Sequence, residues 1–198
     1  MDYDPAVHHR RSIRLRGYDY SQPGAYFVTL CTHKRKRLFG EILNGEMKLN
    51  NRGWKVVNHW EWLAKRYDYV SLDEFIVMPN HLHGIVVLTK VDDASKVSGQ
   101  EQSQPTHKRK PLGRLIGAFK TASTNQINRS STIIGSKLWQ RGFWEHIIRN
   151  EQELNLIRAY IRNNPAQWGL DNLNAKRQVS SASDVGRSSG GSLPWECH

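Results

Sequence analysis

The spacing of apolar and polar positions divides the chain into short strands and amphipathic helices, with polar stretches at both ends. Ala25-Tyr26-Phe27-Val28-Thr29-Leu30-Cys31-Thr32 is aromatic and β-branched, bounded by Pro23-Gly24, and predicts a core strand. A short strand over Glu46–Leu49 follows an Asn44-Gly45 turn. From Gly53 to about Tyr67, Trp54, Val57, Trp60, Leu63 and Ala64 recur at helical spacing. They predict an amphipathic helix whose tryptophans pack on a sheet. Val70 to Met78 reads as a second long strand, and Pro79-Asn80 closes a turn into a third, His81 to Thr89. Beyond its histidines the third strand is apolar on both faces, which predicts a central place in the sheet.

Helical spacing returns with Leu112, Leu115, Ile116, Phe119 and Ile127, leaving Lys120, Thr121, Ser123 and Thr124 on the other face. Leu138 to Arg149 reads as a further strand bent near Gly142. Asn150 is placed to cap a third helix, with Glu153 reaching back as in a capping box. Leu154, Ile157 and Ile161 form that helix's buried stripe, and Pro165 ends it. Residues 90–110 are polar and aperiodic and read as a mobile loop inside one domain, 21–173. Residues 1–20 form a basic N-terminal arm, and the Ser/Gly-rich residues 174–198 read as a disordered tail.

Charge adds a partner to this picture. The formal net charge is +11 and the isoelectric point about 9.9, which points to a polyanion, most often nucleic acid. Arg10, Arg11, Arg14 and Arg16 in the arm, Lys34, Arg35, Lys36 and Arg37 at the exit of the first strand, and Lys120 are the candidate phosphate contacts. Cys31 and Cys197 make no disulfide framework. No apolar run approaches the roughly 20 residues that span a bilayer, and the first residues lack the pattern of a signal peptide. A cytoplasmic, nucleoid-associated protein with no membrane partner is expected.

The candidate chemistry centres on Met78-Pro79-Asn80-His81-Leu82-His83-Gly84. In a strand, His81 and His83 point to the same face and present two imidazoles side by side, half of a site for a divalent ion. An ordinary pair of histidines near a strand end is the competing reading. Tyr160 and Asn164, four residues apart, share one face of the third helix. Asn164 offers a hard amide oxygen suited to Mg²⁺ or Mn²⁺. Taken singly, the two also fit a boundary tyrosine and a helix-end asparagine.

These stretches form a recognisable set. Tyr18-Asp19-Tyr20, Ala25-Tyr26-Phe27-Val28-Thr29, Met78-Pro79-Asn80-His81-Leu82-His83-Gly84-Ile85, Trp139-Gln140-Arg141-Gly142-Phe143, Ile147-Ile148-Arg149-Asn150-Glu151 and Tyr160-Ile161-Arg162-Asn163-Asn164-Pro165 occur in that order. Over roughly residues 10–171 the chain resembles the REP-associated tyrosine transposases, single-tyrosine members of the HUH endonuclease superfamily. The resemblance implies an α+β fold with a ferredoxin-like, RRM-like antiparallel sheet backed by helices. It implies His81 and His83 as the metal-binding pair, Tyr160 as the nucleophile, and Asn164 at the position of a third ligand to Mg²⁺ or Mn²⁺. Related enzymes often carry Gln at that position, and Asn is shorter by one methylene. The implied activity is a transposase that cuts single-stranded DNA beside small imperfect palindromes, or hairpins, through a 5′-phosphotyrosine. A homodimer that exchanges tyrosine helices stays open.

Two other classes compete. A non-catalytic single-stranded nucleic-acid-binding module would stack bases on Tyr26 and Phe27. A zinc hydrolase built on His-x-His needs a further His or acidic ligand, usually within a barrel of about 250 residues.

Overall fold

The apolar runs pair into a four-stranded sheet in the order β4-β5-β1-β6. Its strands are β1 (Gly24–Cys31), β4 (Val70–Val77), β5 (His81–Leu88) and β6 (Trp144–Ile148), and every neighbouring pair is antiparallel. Helices α1 (Asn51–Arg66) and α2 (Leu112–Arg129) make the two crossovers, giving the β-α-β-β-α-β order of a ferredoxin-like fold. A small hairpin of β2 (Gly40–Leu43) and β3 (Glu46–Leu49) precedes α1, and α3 (Glu151–Asn163) follows β6. The computed structural model describes residue 15 and residues 17–90, 109–130 and 135–174. Arg10, Arg11, Arg14 and Arg16, most of the 90–110 loop and all but the first residue of the 174–198 tail lie outside the described residues.

Strand alternation sends two sets of side chains to opposite faces. Tyr26, Val28 and Leu30 of β1 join Leu82, Val86 and Leu88 of β5 beneath α1 and α2, in a core that includes Trp60 and Phe119. On the reverse face Phe27 and Ile85 meet Ile157 and Ile161 of α3. The sheet is therefore a middle layer, and its second face carries one helix only among the described residues.

Three local expectations differ in detail. The buried stripe of α1 is Gly53, Val56, Trp60 and Leu63, while Trp54 is 57% exposed. Trp54 lies one residue, about 100°, round the helix from Gly53, and that glycine fits where a larger side chain would meet Phe39 and Leu49. Ser123 belongs to the core, where its hydroxyl accepts the Trp139 indole N–H at 3.0 Å. Trp139 is accordingly drawn off the sheet and keeps only a single bridge to Thr32. The chain then turns at Gly142 (φ 78°), and pairing with β1 resumes at Trp144.

Candidate active site

β5 emerges from the Pro79-Asn80 turn with His81 opposite Cys31 and His83 opposite Thr29. The two imidazoles lie on the α3 face with ring centroids 4.4 Å apart, 0% and 1% exposed. Each is fixed from behind. Asn80 donates its amide hydrogens to the carbonyls of Arg35 and Leu173, at 3.2 and 2.7 Å. Its Oδ1 is thereby left as the acceptor for His81 Nδ1–H at 2.8 Å. Thr29 Oγ1 sits 2.8 Å from His83 Nδ1. Both rings then turn Nε2 into the site, the arrangement by which an outer hydrogen bond orients a metal-binding histidine. Burial, His83 and Arg35 hold the His81 pKa well below the usual range, and burial alone pulls that of His83 down to about 3. Both rings are neutral near pH 7, the state in which imidazole binds a cation.

α3 brings the phenol. Asn150 Oδ1 caps the helix by accepting from Glu153 N at 2.8 Å. Glu153 reaches back one residue further than a capping box requires, to Arg149 N at 2.7 Å, and its other oxygen meets His146 Nε2 at 2.7 Å. At the opposite edge Arg158 forks onto both oxygens of Asp73 at 2.8 and 2.6 Å, and Arg162 reaches Glu74 at 2.9 Å. Asp73 and Glu74 occupy an irregularity in β4 between Leu72 and Phe75, which breaks the ladder there. Seated this way, α3 places the Tyr160 hydroxyl 3.5 Å from His83 Nε2, with its ring against Phe27 and His83.

After α3 the chain folds back over the histidines. Asn164 ends the helix, is 3% exposed and has its side chain against His81. Asp171 Oδ2 comes within 3.7 Å of His81 Nε2. His81, His83 and Asp171 offer one ligand atom each, all within 4.8 Å of one another. Sequence reasoning missed Asp171. His81 Nε2 and Asn164 Oδ1 are buried atoms without a well-formed hydrogen bond among the described residues. A divalent cation suits this donor set of two imidazoles, a carboxylate and an amide oxygen, and it would satisfy both buried atoms. A cavity of about 250 Å³ opens beside the group, lined by Tyr160, Asn164, Gln167, Leu170 and Asp171 among others.

The predicted basic cluster divides. Lys34 and Arg35 take up left-handed backbone (φ 57° and 51°) just beyond β1. Arg35 donates to Asn172 O at 3.3 Å, and Arg37 donates to Asn174 Oδ1 while lying over the Trp168 ring at 5.4 Å. These two arginines hold down the segment that carries Asp171. Lys36 is exposed. Lys34 and Lys120 line a second cleft of about 890 Å³, together with Lys137, Gln140 and Arg141. Lys120 donates to the carbonyls of Gln140 and Gly142, and burial pushes its pKa down to about 8. Gln140, in the lining of this cleft, donates its backbone N–H to Cys31 O at 2.9 Å, and Cys31 pairs with His81, so the cleft lies at the same end of the sheet as the histidine pair. Tyr26 and Phe27 are both 0% exposed, so neither is available to stack a base.

No family model matches the chain. A protein of Haemophilus influenzae of uncharacterised function is 38% identical over 175 residues, spanning 86% of this chain and 96% of that protein. A second protein of the same organism, named as a candidate REP-associated tyrosine transposase, is 22% identical over 159 residues, or 76% of this chain and 75% of its own length. A solved structure of a REP-associated tyrosine transposase bound to a REP hairpin has a TM-score of 0.54 at 20% identity. It covers 80% of this chain and 75% of that one, a likeness of fold.

Proposed function

We propose that the chain is a REP-associated tyrosine transposase, like the named relative and the solved structure it resembles, and that it is a metal-dependent endonuclease and strand transferase that cuts single-stranded DNA beside small hairpins. It is an enzyme of the transposase kind. The observation that carries the finer reading is the Tyr160 hydroxyl, 3.5 Å from His83 Nε2 on the face that also holds His81 and Asp171. A phenol beside two buried neutral imidazoles and a carboxylate suits attack on a phosphodiester.

In this reading His81, His83 and Asp171 hold a divalent cation, Mg²⁺ or Mn²⁺, with Asn164 beside them. The cation supplies charge stabilisation at the scissile phosphate. Tyr160 attacks phosphorus and its hydroxyl proton is lost; the bond from phosphorus to the 3′ oxygen breaks, and that oxygen leaves as a 3′-hydroxyl. The product is a 5′-phosphotyrosine that keeps the phosphodiester bond energy, so a second 3′-hydroxyl can reverse the step and join a new end. Asn80 and Thr29 keep the two imidazoles in one tautomer and one orientation. Lys34, Lys120, Lys137 and Arg141 give the strand a basic cleft beside the site, and the arginines of the arm add phosphate contacts. The hairpin bound by the solved relative is the substrate we carry over to this chain.

A non-catalytic binding module, the alternative reading, leaves two buried imidazoles beside a phenol without a purpose. The test is incubation of the full chain with end-labelled hairpin oligonucleotides bearing single-stranded flanks, in Mg²⁺ or Mn²⁺, followed by denaturing gels. A shortened labelled strand and a DNA-linked protein band are expected, and both disappear in EDTA. Undiminished cutting in EDTA would remove the metal role.

A further inference from the structure

α3 is pinned to the β4 edge of the sheet by Arg158–Asp73 and Arg162–Glu74. β6 is the strand at the opposite edge. On the α3 face of β6 two aromatic rings, Trp144 and His146, lie parallel, 7° apart in plane with centroids 6.0 Å apart, and both stay partly exposed. The His146 ring is held by Glu153 at 2.7 Å, and the Trp144 ring stands edge-on to Phe27 at 5.6 Å. Phe27 in turn touches both His83 and Tyr160. A paired, oriented aromatic surface beside a phosphate-cleaving site is more than core packing requires.

Register gives its distance from the chemistry. Trp144 pairs with Thr29, and Thr29 pairs with His83, so the three residues form one row across three strands. Two strand spacings separate the Trp144 and His83 backbones by about 10 Å, close enough for the base of a nucleotide whose phosphate lies in the site to reach the indole. We infer that Trp144, with His146 stacked beside it, is the platform for the base next to the cleaved phosphate. An indole stacks on any base through its π face, and pairing against His146 keeps the ring from rotating away. The platform positions the strand so that the phosphate meets Tyr160; Trp144 is a positioning residue and takes no part in bond making.

This inference rests on the DNA-cutting reading, and the experiment separates the two. Full-length protein carrying Tyr160→Phe, which keeps the strand uncut, is titrated with hairpin oligonucleotides whose single-stranded flank contains 2-aminopurine at one position at a time. Binding should quench the fluorescence at one flanking position. Trp144→Leu should abolish that quench and weaken binding by about 5- to 150-fold, and Trp144→Phe should restore most of both. An abasic nucleotide at that position should cost the unsubstituted platform the same factor and cost Trp144→Leu nothing further. If Trp144→Leu does not fold, Trp144→Gln, which keeps a side chain of some length but no ring, takes its place in the same abasic comparison. Tight binding with no flanking position quenched, or a quench that survives Trp144→Leu, would overturn the platform and leave the nuclease reading standing. Failure to bind any hairpin DNA would overturn both.

Discussion

Asn80 is the residue on which the histidine site turns. One side chain spends its two N–H groups on the carbonyls of Arg35 and Leu173 and its oxygen on His81. It therefore ties the basic turn after β1, the fold-back segment and the imidazole into one network. Outer partners of this kind affect metal affinity by about 10- to 100-fold. Calorimetric titration with Mn²⁺ should show Asn80→Ala weakened within that range, His81→Ala and Asp171→Asn weakened at least as much, and Asn164→Ala least. Unchanged affinity in Asp171→Asn would remove the carboxylate from the ligand set. That His81 and His83 lie side by side was legible because a period of two puts both on one face. The spacing put Tyr160 and Asn164 on one helix face but left a boundary tyrosine equally open, and only the resemblance to the transposase family singled Tyr160 out as the proposed nucleophile. Asp171 was not legible. It lies in a turn with no periodicity, where an acidic residue reads as ordinary turn chemistry, and only the fold-back after α3 brings it to the histidines.

The elements were legible wherever a cap or turn marked them. Asn150 accepts from Glu153 at the start of α3, and Asn44-Gly45 turns the chain into β3. Periodicity alone places the start of α1 two residues late, at Gly53, because it does not show that Asn50 caps the helix by accepting from Arg52 and Gly53. The strand read over Leu138 to Arg149 shrank to β6 because Trp139 packs with Phe39 and Phe119 in the helical core, a tertiary pull that strand propensity does not carry. Gly84 shows the same limit. A methyl group there would lie 2.6 Å from Trp60 and 3.1 Å from Phe75, so α1 rests on β5 only because the residue after His83 has no side chain. Gly84→Ala should lower stability by about 1–3 kcal/mol, measured as a fall in the urea midpoint. No change would mean that Trp60 shifts without cost.

At the scale of the whole molecule two charge effects are expected. His81 and His83 have folded-state pKa values depressed below their ordinary value of 6.5. Protons then bind the unfolded chain first, so stability is flat above about pH 7 and falls as the pH drops from about 6.5 toward 3. Each histidine contributes up to about 1.4 kcal/mol per pH unit in that window. Urea midpoints of metal-free protein from pH 8 to pH 4 test the sign, and a midpoint that rose on acidification would contradict it. The arm, with Arg10, Arg11, Arg14 and Arg16, is expected to act through phosphate contacts. Removing residues 1–16 should reduce the salt slope of hairpin binding by up to about 3. An identical slope would show that these arginines stay off the DNA. Charge and composition pointed to a polyanionic partner as an expectation, but they could not separate Arg35 and Arg37, which brace the Asp171 segment, from Lys34 and Lys120, which line a cleft.

In the proposed reaction Tyr160 carries the DNA between cutting and joining. Full-length protein is incubated with a hairpin oligonucleotide and Mn²⁺, quenched in denaturant, digested with protease and nuclease, and analysed by mass spectrometry. A 5′-nucleotide mass is expected on the peptide containing Tyr160 and not in Tyr160→Phe, which still binds the hairpin because its ring keeps its place between Phe27 and His83. A nucleotide on any other residue, or cutting by Tyr160→Phe, would contradict it.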